Sequence, residues 1–170
     1  MAVLPIVKYP DPILKKKTKI IKSINAKTKK LIKDMSDTLK NAKGLGLAAN
    51  QVGVPIKILI ISIPDENKNQ VELVLINPEI TQKKDSCSQE EGCLSFPGLY
   101  LTIKRAKSVE IKAVDDKGQI IEFIGDGLLA RVLQHEIDHL EGKQFIDRLS
   151  ILSKLKVKSE IKRRIKAGTW

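Results

Sequence analysis

Apolar residues recur with helical spacing in three parts of the chain. Residues 25–42 carry one apolar stripe, and Asn25 is suited to cap the start of a helix there. A second helix is predicted from about 125 to 141, where Gly142 is a natural stop, and a basic amphipathic helix from 153 to 167. The first stripe consists of Leu31, Ile32, Met35 and Leu39.

Between these helices the pattern changes to that of strands. The β-branched run at 56–63 predicts a buried strand and 70–80 the next one, with Pro78 indicating an edge or the strand's end. Two more strands, near 107–114 and 119–124, are joined by the hairpin turn DDKG. The order predicts an α+β fold, with a mixed or antiparallel sheet packed around a central helix that carries HEIDH, and a C-terminal helix.

The pattern predicts neither a helix nor a strand for two stretches of the chain. KGLGLAANQVGVP, from residue 43, is interpreted as a glycine-rich loop, and residues 81–98 are polar and contain glycine. The 170 residues are expected to form a single domain, 1–170, in which residues 150–170 are a basic helical tail. The chain has no recognisable secretory signal and no apolar run long enough to span a membrane, so we expect a cytoplasmic protein.

The chain is strongly basic, with a net charge of +11. This charge comes from 26 lysines and only five arginines, and aromatic residues make up 4% of the chain. Arginine forms paired hydrogen bonds to phosphate and guanine, and aromatic rings stack on bases. Both kinds of residue are scarce here. We therefore expect a solvated basic surface and no specific recognition of DNA.

The only two histidines lie four residues apart, in QHEIDH. On a helix, His135 and His139 point from nearly the same face, one turn apart, and both imidazoles can reach one metal ion. Glu136 lies beside them, where it can hold a metal-bound water without being a ligand. The alternative is that the histidines only hydrogen-bond to polar groups on a half-buried helix face. This glutamate and the apolar flank LLARVL argue against it.

A catalytic site of this kind needs a third protein ligand. Downstream of the pair there is no histidine, Glu141 is too close, and Glu160 lies in the basic tail. Cys93, upstream in EEGCLSFPG, offers a thiolate, which is a strong soft ligand, although most free cysteines are simply small buried residues. Cys87, in a polar stretch, is interpreted as a spare thiol.

Three motifs occur in a fixed order: GLGLAANQ at 44–51, EGCLS at 91–95 and QHEIDH at 134–139. Together they resemble peptide deformylase, the family that removes the formyl group from the N-terminal formylmethionine of newly made proteins. The likeness runs from about residue 3 to about residue 150, and the basic tail is also similar to that of bacterial members. The resemblance implies N-formylmethionyl nascent peptides as substrates, and hydrolysis by a metal-bound hydroxide that releases formate.

The resemblance also implies which residues bind the metal. Cys93, His135 and His139 would be the ligands of one divalent ion, and Glu136 would act first as general base and then as general acid. The family's ion is usually Fe(II), and zinc, nickel or cobalt can take its place. A donor set of two imidazoles and one thiolate suits several of these ions.

Further roles follow from the same likeness. Gln51, through its side-chain amide, and Leu94, through its backbone N–H, would face the developing oxyanion, and Gly46 would offer its backbone to the substrate. A methionine side chain needs an unbranched apolar slot, for which several apolar residues near the motifs are candidates, with core packing as their alternative role. The candidates are Leu45, Phe96, Leu128, Leu129 and Val132.

One position departs from the family's usual pattern. Many bacterial members carry an arginine a few residues after EGCLS, where this chain has Tyr100. Glu91 and Arg105 are further candidates, as a pair that fixes the strand carrying Cys93.

Two other functions remain open at this point. The chain could be another H-E-x-x-H metallopeptidase, which would require a downstream glutamate in place of Cys93 as the third ligand. It could also be a basic module that binds RNA or the ribosome through the tail from Lys154 to Lys166, a role that could coexist with deformylation.

Overall fold

The computed structural model of the chain describes residues 2–65 and 67–170. Its α-helices are α1 (Ala26–Ala42), α2 (Gly127–Leu140) and α3 (Ile151–Lys166). Its strands are β1 (Gly46–Ala48), β2 (Ile58–Pro64), β3 (Gln70–Lys84), β4 (Cys87–Cys93), β5 (Phe96–Arg105), β6 (Ser108–Val114) and β7 (Ile120–Asp126). Single 3₁₀ turns occupy Pro12–Lys15, Ala49–Val52 and Phe145–Arg148. None of the described helices is both long and apolar enough to cross a membrane.

The helices begin and end within two residues of the predicted positions. The side chain of Asn25 accepts a hydrogen bond from the backbone N–H of Thr28, which caps the first turn of α1. Gly142 follows α2 with a φ of +72°, a backbone conformation that glycine adopts without strain. The α+β class and the three helices are therefore confirmed.

Five strands form one antiparallel sheet in the order β1-β2-β3-β6-β7. Along β2, Leu59 and Ile61 pack with α2 on one face of the sheet, while Ile58 and Ile60 pack with α1 on the other. Both faces of this strand are thus covered, which explains its uninterrupted apolar run. The helix carrying HEIDH lies centrally against the sheet, as predicted.

Pro78 does not mark the end of its strand, because β3 continues to Lys84, but it does lie where the strand becomes an edge. The pairing of β3 with β2 ends at Ile76, and from Glu79 onwards β3 pairs with β6 alone. Its register with β6 shifts between Ile76 and Glu79, and Asn77 has a φ of +52°. This bulge accommodates a residue that has no N–H to donate to the ladder.

The pattern missed three strands, β1, β4 and β5, and the last four residues of β3. Strands β4 and β5 form a separate two-stranded sheet, and the turn between them contains Leu94 and Ser95. The stretch interpreted as a loop contains β1 and the 3₁₀ turn Ala49–Val52. Because β4 is polar on its exposed side, it lacks the apolar content that signals a strand.

Helix α3 packs back onto this small sheet. Ile161 is 1% exposed within a cluster that includes Phe96 and Phe145, whereas Leu155, on the same helix, is 59% exposed. Trp170 Nε1 donates to the backbone oxygen of Tyr9 at 2.5 Å, which holds the end of the chain against its beginning.

Candidate metal centre

The centre is built on one face of α2. Arg131, His135 and His139 follow one another at four-residue intervals, which places them one above another on a helix. All three are buried, with His139 only 1% exposed. Because these polar groups lie in the interior, each needs a partner there.

Cys93 meets the two imidazoles at the end of β4. Its Sγ lies 3.2 Å from Nε2 of His139, and the three candidate ligand atoms of Cys93, His135 and His139 all lie within 4.8 Å of one another. A thiolate and two imidazoles at such separations fit a transition-metal ion of the zinc or iron type. Within the described residues this is the only cluster of three or more such side chains.

His135 is oriented from behind by Glu91. Its Nδ1 lies 2.9 Å from Oε2 of Glu91, which leaves the other ring nitrogen, Nε2, available to an ion. Glu91 itself accepts hydrogen bonds from Nε and Nη2 of Arg105, at 2.6 and 3.0 Å. The expected pairing of Glu91 with Arg105 is therefore present, and it connects β4, β5 and α2.

Two further charged residues, which the sequence interpretation missed, extend this arrangement. Arg131 Nη1 donates to Oε1 of Glu91 at 2.5 Å and to the backbone oxygen of Ile103. Asp138 accepts from Nη1 of Arg105 at 2.7 Å and from Arg148. The sequence offered a clue to each: Arg131 lies four residues before His135 in an apolar flank, and Asp138 lies inside HEIDH.

Burial and neighbouring charges shift the pKa values of three side chains in this cluster. Burial raises the pKa of Glu91, but hydrogen bonds from His135 and Arg105 outweigh it and lower the pKa to about 2. Burial lowers the pKa of His135, yet its contacts with Cys93 and Glu91 raise it to about 10. The pKa of His139 is well below its ordinary value because of burial and the charge on His135. The surroundings therefore stabilise a positive charge on His135, beside Cys93 and Glu91, and disfavour a second one on His139.

Glu136 lies next to the ligands and is 4% exposed. Its Oε2 has no hydrogen-bond partner among the described residues. Burial raises its pKa to about 7, although the positive charges of His135 and Arg105 act to lower it. A carboxyl group with this pKa can both accept and release a proton near neutral pH.

Gly46 allows β1 to approach this carboxyl group. A Cβ on residue 46 would lie 2.6 Å from Oε1 and 2.7 Å from Cγ of Glu136. Any side chain at this position would therefore displace the glutamate or the strand.

The side-chain amide of Gln51 is fixed at both ends. Its Oε1 accepts from the backbone N–H of Ala48 at 2.8 Å. Its Nε2 donates to Oγ of Ser95 at 3.2 Å and lies 3.7 Å from Sγ of Cys93. Ser95 was not anticipated, although it is the last residue of the EGCLS motif.

A cavity of about 330 Å³ opens beside these groups. Gly46, Gln51, Glu136 and the turn residue Leu94 line it together with Cys93 and His135. Leu129 is not among its lining residues: it packs with the core of the sheet and lies 3.3 Å from where a Cβ on Gly125 would be. Its neighbour Leu128 lies about 100° away around the helix and does line the cavity. The apolar lining residues include Leu45, Phe96, Leu99, Leu128 and Val132.

Comparison with known protein families and sequences gives one consistent result. A family model described as Polypeptide deformylase matches residues 3–155. A peptide deformylase from Thermodesulfovibrio yellowstonii is 49% identical over 154 residues, which cover 91% of this chain and 93% of that protein. One from Acidobacterium capsulatum is 39% identical over 170 residues and covers both chains fully.

Solved structures agree with the sequences. A crystal structure of a peptide deformylase from Legionella pneumophila superposes with a TM-score of 0.87 at 41% identity, covering 98% of each chain. A class I type b peptide deformylase from Acinetobacter baumannii, crystallised with Met-Ala-Ser bound, has a TM-score of 0.81 at 32% identity. That match covers 87% of this chain and 99% of the other.

Proposed function

The chain belongs to the polypeptide deformylase family, and from this premise we propose how its residues carry out the reaction. The enzyme hydrolyses the formyl group from the N-terminal formylmethionine of newly made peptides, releasing formate and a free amine. The observation that carries this function is the convergence of Cys93, His135 and His139 beside the buried carboxyl group of Glu136.

Cys93, His135 and His139 are proposed as the three ligands of one divalent ion. Fe(II) is the proposed natural ion, and zinc, nickel or cobalt would also suit two imidazoles and a thiolate. When bound, such an ion supplies Lewis acidity to a water molecule and to the carbonyl oxygen of the substrate. Glu91, with Arg105 and Arg131 behind it, holds His135 in the tautomer that presents Nε2 to the ion.

Glu136 is the proposed proton carrier. It takes a proton from the attacking water and delivers it to the amine as the bond between the formyl carbon and nitrogen breaks. A pKa of about 7 lets the same group do both near neutral pH. Gly46 keeps the carboxyl group in place by leaving room for it.

Negative charge develops on the formyl oxygen as the water adds. The Nε2 of Gln51 and the backbone N–H of Leu94 are the proposed donors to it. Ala48 fixes the Oε1 end of Gln51, so the donor end stays directed towards Cys93, where it can exchange its long contact with the sulfur for the developing oxyanion.

The methionine side chain of the substrate is proposed to enter the cavity beside these groups. Gly46 offers its backbone to the first residues of the peptide, at the free edge of β1. Tyr100 is 65% exposed at the cavity and occupies the position of the arginine found in many bacterial members. We therefore propose that the peptide backbone is recognised by the free edge of β1 and not from the side of Tyr100. The proposed apolar walls are Leu45, Phe96, Leu128 and Val132, without Leu129.

The setting follows from the substrate. We propose that the whole chain is one deformylase domain, that it acts in the cytoplasm on chains emerging from the ribosome, and that the basic helix α3 contacts the ribosome. A metallopeptidase function is not favoured, because the third candidate ligand is Cys93 and not a downstream glutamate.

The test is direct. Anaerobically purified protein is incubated with formyl-Met-Ala-Ser, and both formate and free amino acids are measured. We expect formate without released amino acids, no activity and no bound metal in Cys93→Ala, and both retained in the matched control Cys87→Ala. Release of amino acids in place of formate would identify a peptidase.

A further inference from the structure

A second concave surface lies beside the C-terminal end of α2. It is formed by residues 17–22, 78–83 and 137–143 with Lys57 and Arg148, and we call it the basic groove. Seven cationic and three acidic side chains line it, so the groove carries four positive charges in excess. The reaction at the metal centre uses none of its lysines.

The three carboxylates of the groove are already engaged. Glu141 lies 3.0 Å from Lys17 and 3.7 Å from Lys57, and Glu79 lies 4.0 Å from Lys57. Asp138 holds Arg105 and Arg148. The remaining cations have no ion pair within residues 2–65 and 67–170: they are Lys19, Lys22, Lys83 and Lys143.

The backbone that presents these lysines is fixed. The N–H and the hydroxyl of Thr18 both donate to the backbone oxygen of Leu140 at 2.9 Å, and Lys19 pairs with the chain around Ile56. Asn77 bonds both backbone groups of Ile21. Lys19 and Lys22 therefore extend from an ordered segment, and Lys83 from β3, so that only their side chains lose freedom when an anion binds.

We propose that the basic groove binds RNA through its phosphate backbone. Lysines are point charges suited to phosphate, the single arginine of the groove is held by Asp138, and no aromatic ring lines it, so binding is independent of base sequence. Binding to an anionic membrane would need an apolar face, and only Ile20, 66% exposed, protrudes here. The choice of RNA among polyanions rests on the proposed function, since the substrate is made where RNA is abundant.

The experiment compares three triple variants of the metal-loaded full chain. The groove variant is Lys19→Gln, Lys22→Gln and Lys83→Gln. The charge-matched control is Lys27→Gln, Lys33→Gln and Lys104→Gln, and the α3 variant is Lys156→Gln, Lys162→Gln and Lys166→Gln; all nine lysines are exposed. Fluorescence anisotropy of a fluorescein-labelled single-stranded RNA is measured over a range of salt concentrations.

We expect the groove variant to bind at least about tenfold more weakly, with the slope of log affinity against log salt reduced by about two, and the control to change much less. Equal losses in the groove variant and the control, or a loss confined to the α3 variant, would overturn the proposal. So would wild-type protein that binds vesicles of anionic lipid but not the RNA. Formate release from formyl-Met-Ala-Ser is measured on the same samples: its absence in the wild type refutes the deformylase function, whatever the RNA result.

Discussion

The Nδ1 of His135 lies 2.9 Å from Oε2 of Glu91, in the cluster where His135 also meets Cys93 and His139. This contact determines which ring nitrogen can bind a metal, and it comes from the strand that also supplies the cysteine. One side chain of β4 thus orients a proposed ligand on α2, while the last residue of the strand is itself a proposed ligand. Such supporting contacts contribute substantially to metal affinity.

The first prediction concerns that contact. Replacing Glu91 with alanine removes the acceptor for His135 and leaves Arg105 and Arg131 without their shared partner. We expect the dissociation constant for the divalent ion to rise about 10- to 100-fold. Competition with a chromogenic chelator measures it, and Glu122→Ala, at an exposed site on β7, is the control. An unchanged dissociation constant in Glu91→Ala would show that His135 needs no support.

The second prediction concerns acid stability of the metal-free protein. Hydrogen bonds lower the pKa of Glu91 from 4.5 to about 2 in the folded state, so its charged form stabilises the fold above pH 4.5. This contribution, of about 3 kcal/mol, is lost as the pH falls from 4.5 through 2. Urea denaturation at a series of pH values should show the loss, and Glu91→Gln should show a smaller one. Identical pH dependence of the two proteins would contradict the assignment.

The third prediction concerns the buried charge behind Glu91. Arg131→Met removes one of the two guanidinium groups that hold this carboxylate and breaks the contacts of Arg131 with Gln89 and Ile103. We expect the free energy of unfolding to fall by about 3–5 kcal/mol. The same change at Arg163, which is exposed and pairs only with Glu160, should cost less than about 1 kcal/mol. Equal losses in the two variants would argue against a special role for Arg131.

The fourth prediction concerns the space beside Glu136. In Gly46→Ala the new Cβ occupies the position of the Glu136 side chain, so the carboxyl group must move. We expect kcat to fall about 100-fold, because displacement of a reacting group by about 1 Å has an effect of that size. Metal content should be unchanged. Gly44→Ala, whose Cβ would meet the flexible end of Leu94, should reduce kcat much less.

The parts of the site that are local in sequence could be predicted. His135, Glu136 and His139 follow one another on a helix, and helical spacing alone places them together. Cys93 could be proposed only because no downstream residue suited the third position, since its distance from α2 depends on how the small sheet packs. Arg131 was equally accessible from the four-residue spacing, but it was treated only as part of the apolar flank LLARVL and was given no role.

Other differences from the sequence interpretation have physical causes. Strand β4 was missed because its side chains are mostly polar, with Glu91 buried by ion pairs and not by apolar packing. Pro78 does not end its strand, because a bulge lets β3 continue past the proline with β6 as its one neighbour. Leu129 was proposed for the cavity on composition, whereas its position on α2 turns it towards the core.

The separate pairing of β4 and β5 gives the metal a role in the architecture. These two strands form no ladder with the main sheet and are joined to α2 by ion pairs and by apolar packing. An ion held between Cys93 and the two histidines would cross-link the small sheet of β4 and β5 to α2, and through α2 to the main sheet. Removing it should allow the hairpin to detach while the main sheet persists, so that amide hydrogen exchange accelerates in β4 and β5 first.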